Sequence, residues 1–118
     1  MKILIVDDNK QTTSMLSKFF DSEGHKTVVT NDSMEGLRHI QEEQYDVVLL
    51  DINMPEFNGF NIIQILATNE ILKDQNIFLF SGADYLENKI KDFLMRDGVN
   101  GFLKKPIDLD ELLTVITN

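Results

Sequence analysis

Three short apolar runs constrain the fold of this chain more than any other feature. Residues 3–6, 47–50 and 77–80 are each entirely apolar, and they lack the alternation of apolar and polar side chains that a half-exposed strand shows. Strands of this kind are covered on both faces. We therefore predict a central parallel sheet with helices packed on both sides.

Amphipathic segments follow these runs, with apolar side chains at helical spacing, and two weaker strands are predicted at 26–30 and 101–104. The apolar positions of the five predicted helices are Met15, Leu16, Phe19 and Phe20; Leu37 and Ile40; Ile62, Ile63, Ile65 and Leu66; Leu86, Ile90, Phe93 and Leu94; and Leu109, Leu112, Leu113 and Ile116. Capping boxes are predicted for Asp32/Glu35, Asp84/Glu87 and Asp108/Glu111, and Met95 is predicted to fill core space. Alternating strands and helices predict one α/β domain over residues 1–118 with a doubly wound parallel sheet.

Composition limits the classes of function. The formal net charge of -9 argues against direct nucleic-acid binding, because the phosphate backbone attracts basic surfaces. The absence of cysteine excludes disulfides and thiolate sites, which fits a cytoplasmic protein. The apolar run that follows Met1 and Lys2 is too short for a signal peptide or a membrane span, so no membrane association is expected.

Polar side chains follow the apolar runs at the ends of the predicted strands. Asp7 and Asp8 follow the first run, Asp51 follows the second and Ser81 follows the third. Ligands of doubly wound sheets bind beyond the carboxyl ends of the strands, so these residues are expected at one rim. Lys104 ends the weak fifth strand and Lys105 follows it, and strand alternation directs the two side chains to opposite faces.

This combination of groups is suited to phosphoryl transfer with a hard cation. Carboxylates held close together repel one another unless a cation neutralises them, and Mg²⁺ prefers a few carboxylates together with phosphate oxygens. A metal ion, a lysine and a hydroxyl together supply the charge neutralisation that phosphoryl transfer needs. Asp51 is the expected nucleophile, which would form an aspartyl phosphate.

Several motifs extend this pattern along the whole chain: Val6-Asp7-Asp8, Leu49-Leu50-Asp51-Ile52-Asn53-Met54-Pro55, Gly59, Ser81-Gly82-Ala83 and Lys105-Pro106. Together they resemble the receiver domains of two-component response regulators. The resemblance implies a flavodoxin-like five-stranded parallel sheet of order 2-1-3-4-5 with five flanking helices. It also implies Mg²⁺, or Mn²⁺ in its place, bound directly by Asp8, Asp51 and the Asn53 backbone carbonyl, with Asp7 acting through water.

The resemblance further assigns roles to the remaining residues. Ser81 and Lys105 would hold the phosphoryl oxygens, with a cis Lys105-Pro106 peptide aiming the lysine. Ser81 and Phe102 would form a switch, although Phe102 is equally well explained as a core aromatic. The output face would run from Tyr85 through the fifth strand and fifth helix, where a downstream protein would bind.

The resemblance also implies partners and a type of activity. The donor would be a phosphohistidine on a sensor histidine kinase or a histidine phosphotransfer protein. The protein would be a monomer or a phosphorylation-linked dimer, and it would catalyse its own phosphorylation and dephosphorylation without turning over a separate substrate. A stand-alone receiver of the chemotaxis type is expected, and the receiver fragment of a larger regulator is the alternative.

Other interpretations of the same residues remain open. Asp7 and Asp8 alone are explained by helix capping, Asp51 by a polar strand end and Ser81 by a turn hydroxyl. A Mg²⁺-dependent phosphatase with an aspartyl intermediate would use similar groups. A flavin or nucleotide binder would use the same sheet but would need a phosphate-binding loop where Asp7 and Asp8 stand.

Overall fold

The computed structural model describes residues 1–82 and 87–117, with the backbone alone for residues 87–89. Strands and helices alternate along the chain, as the sequence predicts. The strands are β1 (Lys2–Val6), β2 (Lys26–Thr30), β3 (Val47–Asp51), β4 (Ile77–Ser81) and β5 (Val99–Lys104). The helices are α1 (Lys10–Ser22), α2 (Ser33–Glu42), α3 (Gly59–Thr68), α4 (Glu87–Leu94) and α5 (Leu109–Thr117), with a short 3₁₀ helix at Leu72–Asp74.

The sheet has the order β2-β1-β3-β4-β5 and all its strand pairs are parallel, which confirms the predicted topology. Its register aligns the carboxyl ends of the strands. Val6 pairs with Thr30 and with Leu50, while Ser81 pairs with Lys104. The residues that follow these pairs therefore lie along one edge of the sheet, where ligands of this architecture bind.

Two hydrophobic cores lie on opposite faces of the sheet, because successive side chains of a strand point to opposite sides. Leu4, Val6 and Leu50 belong to the core shared with α2 and α3. Ile5 and Leu49 belong to the core shared with α1 and α5. Both faces of the central strands are thus covered, as the apolar runs predict. Over residues 1–82 and 87–117, no helix combines the length and the apolar character that crossing a membrane requires.

Two methionines predicted to be buried are exposed. Met15 is 44% exposed and Met95 is 83% exposed. In α1 the buried face is formed by Leu16 and Phe20, which are one helical turn apart, and Met15 lies to the side of that stripe. Met95 directly follows the last residue of α4 and lies outside both cores.

The predicted N-caps are present at α2 and α5. The Asp32 side chain accepts a hydrogen bond from the Met34 N–H, and the Asp108 side chain accepts one from the Glu111 N–H. The Glu35 side chain, which a capping box would pair with the Asp32 N–H, instead accepts a hydrogen bond from the Thr30 hydroxyl. The Asp84/Glu87 pair and Tyr85 lie outside the residues whose side chains are described. A complete capping box occurs instead at α3, between Asn58 and Asn61.

Candidate functional site

Asp7 and Asp8 follow directly after β1 and differ in exposure. Asp7 is fully buried, and its backbone N–H donates to the carbonyl oxygen of Thr30, 3.2 Å away. Its Oδ1 accepts a hydrogen bond of 2.9 Å from the Asn9 N–H, while Asn9 itself caps α1. Asp8 is exposed to solvent beside it. One carboxylate of the pair is thus held inside the protein, and the other faces the rim.

Asp51 is the last residue of β3 and is only 2% exposed. Its Oδ1 accepts a hydrogen bond of 3.0 Å from the Asn53 N–H. The start of α3 packs closely behind it, and a Cβ atom on Gly59 would lie 2.7 Å from the Asp51 carbonyl oxygen. Because a contact that short does not occur with a real Cβ, only glycine lets α3 begin at this distance from Asp51.

Lys105 extends from the end of β5 toward both buried carboxylates. Its Nζ lies 2.8 Å from Asp7 Oδ2 and 3.7 Å from Asp51 Oδ2. Its backbone N–H donates to the Ser81 carbonyl, which continues the pairing of β4 with β5 past the last strand residue. The Lys105-Pro106 peptide is cis, as predicted, and Lys104 is exposed. Of the two lysines, Lys105 is the one that reaches the acidic site.

The three aspartates form a compact set of oxygen ligands. One carboxylate oxygen from each of Asp7, Asp8 and Asp51 lies within 4.8 Å of the others, and no other group of three or more potential acidic, histidine or cysteine ligands occurs among the described residues. Carboxylate oxygens at this spacing are the donors that Mg²⁺ and Mn²⁺ prefer. The residues present therefore fit the predicted cation.

Three carboxyl groups share the site with Lys105, and the pKa values of Asp8 and Asp51 reflect this excess of negative charge. Burial raises the pKa of Asp51 to about 7, and Asp7 adds to the rise, while the Asn53 N–H and Lys105 act in the opposite direction. Desolvation and Asp7 also raise the pKa of Asp8. Burial works to lower the pKa of Lys105, but its hydrogen bond to Asp7 and the nearby carboxylates outweigh it and raise that pKa. A divalent cation would favour the ionised form of these carboxyl groups.

The two residues proposed as a switch lie on neighbouring strands. Ser81 ends β4 and is fully buried. Phe102, in β5, is half-buried and packs against the core on the α2 and α3 side, whereas its neighbour Leu103 belongs to the opposite core. Phe102 thus contributes to the core in this structure, and its role as a switch stays a prediction.

Asn31 is a residue at this rim that the sequence analysis missed. It directly follows β2, and its side-chain amide donates to the Asp7 carbonyl oxygen at 2.8 Å and to Thr13 Oγ1 at 3.0 Å. The available signal was its position one residue past a predicted strand. Asn31 is a single uncharged residue after a weakly apolar strand, so it stands out less than the carboxylates and the lysine at the other strand ends.

Comparisons with known proteins agree with this geometry. The model of the response regulator receiver domain family matches residues 3–117. The receiver domain of Francisella response regulator 1452 superposes with a TM-score of 0.84 at 32% identity, covering 98% of this chain and 93% of that one.

Curated relatives match over nearly the whole chain. The CAI-1 autoinducer sensor kinase/phosphatase CqsS of Vibrio cholerae is 30% identical over 98% of this chain and 17% of its own length. The cell cycle transcriptional regulator CtrA of Caulobacter vibrioides is 28% identical over 98% of this chain and 48% of its own. The chain spans about half or less of these two relatives. The buried acidic rim, its lysine and the match over residues 3–117 lead to one conclusion: the chain belongs to the response regulator receiver domain family.

Proposed function

We propose that this domain accepts a phosphoryl group on Asp51 within a two-component or phosphorelay pathway. The observation that carries the proposal is the contact of Lys105 Nζ with Asp7 and its approach to Asp51 Oδ2, at a rim that also holds Asp8. A cation beside a buried nucleophile can bind the oxygens of an incoming phosphoryl group. The family membership supports the same chemistry.

The reaction is a displacement at phosphorus. A carboxylate oxygen of Asp51 forms a bond to phosphorus while the bond from phosphorus to the leaving group breaks, and the leaving group departs with that electron pair. Lys105 shifts from its carboxylate partners toward a phosphoryl oxygen, and the Ser81 hydroxyl binds another. Asp51 must be ionised to attack, so its raised pKa makes phosphorylation dependent on neutralisation of the site.

Asp7, Asp8, Asp51 and the Asn53 backbone carbonyl would hold Mg²⁺, or Mn²⁺ in its place. When bound, the cation neutralises charge on the phosphoryl oxygens. For the residues themselves, its main consequence is that Asp51 becomes ionised at neutral pH. Asp8 is the exposed member of the set and is well placed to take a ligand that enters from solvent.

The donor is proposed to be a phosphohistidine on a sensor histidine kinase or a histidine phosphotransfer protein. The output is proposed to be a change at the α4-β5-α5 face, in which Ser81 moves toward the phosphoryl group and Phe102 turns inward to fill the space. Phosphorylation adds about 1.5 to 2 negative charges, enough to bias two packings that differ by a few kcal/mol. The domain acts as a signalling module, with no separate substrate to turn over.

Intact-protein mass spectrometry tests the proposal. A small acyl phosphate with Mg²⁺ is expected to add one phosphoryl group, and the Asp51→Asn variant is expected to gain none. The matched control is Asp46→Asn, because Asp46 lies at the opposite end of β3, where its carboxylate binds the Lys2 N–H. Labelling of Asp51→Asn, or labelling that a chelator does not reduce, would contradict the assignment. Multiple turnover of a phosphomonoester would favour a phosphatase instead.

A further inference from the structure

Both backbone polar groups of Asp7 are bound by consecutive residues at the end of β2. The Asp7 N–H donates to the Thr30 carbonyl at 3.2 Å, and the Asp7 carbonyl accepts from the Asn31 side-chain amide at 2.8 Å. The first bond continues the ladder between β1 and β2. The second is made by a side chain at the point where the regular ladder has ended. Asn31 therefore adds one more hydrogen bond between the two chain segments after the regular pairing of β1 and β2 has ended.

We propose that Asn31 is a positioning residue that orients Asp8 for cation binding, an inference that rests on the proposed function. The Asp7 carbonyl belongs to the peptide unit that joins Asp7 to Asp8. Because a peptide unit is planar, a bond that fixes its carbonyl also fixes the direction in which the chain enters Asp8. The Asp8 side chain is exposed, so little packing holds it from the solvent side.

The other contact of the Asn31 amide anchors it to α1. The same nitrogen donates to Thr13 Oγ1 at 3.0 Å, and Thr13 is buried, with its hydroxyl donating to the Lys10 carbonyl. Both hydrogens of the Asn31 amide nitrogen are thus donated, one to a residue before Asp8 and one to a residue after it. Asn31 therefore holds the chain at two points, the Asp7 carbonyl before Asp8 and the Thr13 hydroxyl after it.

Mn²⁺ binding followed by electron paramagnetic resonance tests this role without relying on phosphorylation. Asn31→Ala removes both amide bonds and is expected to weaken Mn²⁺ binding about tenfold, the usual lower range for residues that orient metal ligands. If Asn31 acts through Asp8, the same substitution placed in an Asp8→Asn background should change the affinity by less than about twofold. A general loss of stability would not produce this dependence on Asp8.

The chain offers a chemically matched control in Asn76. Its side-chain amide donates to the backbone carbonyl of another aspartate, Asp46, at 3.1 Å, near the opposite ends of the strands. Asn76→Ala removes the same type of bond and is expected to leave Mn²⁺ affinity unchanged. Asn31→Leu, which keeps the branched shape without the N–H groups, serves as a second variant if Asn31→Ala does not fold.

The outcomes separate this inference from the proposed function. If the wild-type protein binds no Mn²⁺, the proposed cation site fails and the role of Asn31 fails with it. If the wild type binds Mn²⁺ and both Asn31 variants bind it equally well, only the role of Asn31 is overturned. An equal loss in the Asp8→Asn background, or failure of both variants to fold, would likewise overturn a positioning role through Asp8.

Discussion

Lys105 Nζ lies 2.8 Å from Asp7 Oδ2, although 98 positions separate the two residues in the chain. The Asp7 side chain is fully buried, whereas that of Lys105 is 25% exposed. The same ammonium group lies 3.7 Å from Asp51. One cation thus serves two buried carboxylates, and Asp8 adds a third negative group to the site. This imbalance underlies the first two predictions.

Replacing Lys105 with methionine is expected to destabilise the protein at neutral pH, because the apolar stem is kept while the buried carboxylates lose their cation. Breaking a buried ion pair costs roughly 3–5 kcal/mol, and the partial exposure of Lys105 reduces the expected loss to about 2 kcal/mol. Urea unfolding at pH 7.5 measures this difference. Acyl phosphate labelling of Asp51 should also slow by at least about tenfold.

The neighbouring lysine provides the control for that experiment. Lys104 is exposed, so Lys104→Met is expected to change stability by less than about 0.5 kcal/mol. Equal effects of the two substitutions would contradict the role given to Lys105.

The pKa of Asp51 predicts a dependence of stability on pH in the metal-free protein. Its folded value of about 7 lies above the ordinary value of 3.8, so the folded state binds the proton more tightly than the unfolded state. The protonated Asp51 carboxyl group therefore contributes stability that is fully present below its ordinary pKa and is lost as the pH rises through about 7. At pH 8 the Asp51→Asn protein should therefore be more stable than the wild type by roughly 1–3 kcal/mol.

Urea unfolding at pH 4, 6 and 8 in the presence of a chelator measures this effect. The advantage of Asp51→Asn should shrink as the pH falls, because the wild-type carboxyl group is then protonated as well. Excess Mg²⁺ at pH 8 should stabilise the wild type and reduce the gap. A constant difference between the two proteins across this range would contradict burial of Asp51 as the cause.

Gly59 determines how closely α3 approaches Asp51. A Cβ at this position would lie 2.7 Å from the Asp51 carbonyl oxygen and 3.0 Å from Ile52 Cα. Both neighbours are backbone atoms and cannot move aside cheaply. Gly59→Ala is therefore expected to cost about 1–3 kcal/mol and to slow labelling of Asp51. Gly82→Ala is the control, because its nearest neighbour would be Lys105 Cβ at an ordinary 3.7 Å.

The end of α3 contains a residue in an unfavourable backbone conformation. Glu70 has φ 63° in a Schellman motif, in which the Ile71 N–H donates to the Leu66 carbonyl and the Glu70 N–H donates to the Ala67 carbonyl. Glycine tolerates this conformation better than glutamate. Glu70→Gly is expected to raise the free energy of unfolding by about 0.5–1 kcal/mol in urea titrations.

The end of α1 provides the reciprocal experiment. Gly24, with φ 85°, occupies the same position of a Schellman motif, and a Cβ there would contact nothing within 4 Å. Gly24→Ala should therefore lower stability by about 1 kcal/mol through backbone strain alone. A gain from Gly24→Ala, or a loss from Glu70→Gly, would contradict this account.

The sheet was predictable from the sequence because a strand that is buried on both faces has apolar side chains at successive positions. Three uninterrupted apolar runs identified β1, β3 and β4, and the segments between them had helical spacing. The rule for parallel sheets then brought Asp7, Asp8 and Asp51 to one rim, where the structure places them. The doubly wound parallel sheet and the predicted acidic cluster both follow from these local patterns, whereas the strand order β2-β1-β3-β4-β5 was implied by the resemblance to receiver domains.

Predictions about individual helix faces and loops were less successful. Met15 is adjacent to the buried stripe of α1 rather than part of it, which is decided by how α1 rests on the sheet. The Asn58/Asn61 capping box was missed because its third position holds asparagine instead of glutamate or glutamine. Asn31 was missed because it is a single uncharged residue that follows a weakly apolar strand.

The sequence by itself determined which groups reach the rim. Side-chain periodicity defines the strands, and the residues that follow parallel strands lie at the same edge of the sheet. Only the tertiary structure decided that Lys105 contacts Asp7, that Asn31 holds the Asp7 carbonyl and that Gly59 allows α3 to touch Asp51. These contacts join residues from different elements at distances of a few ångströms. The pKa of Asp51 likewise depends on how deeply this carboxyl group is buried and on its distances to Asp7 and Lys105, which only the packing of separate elements sets.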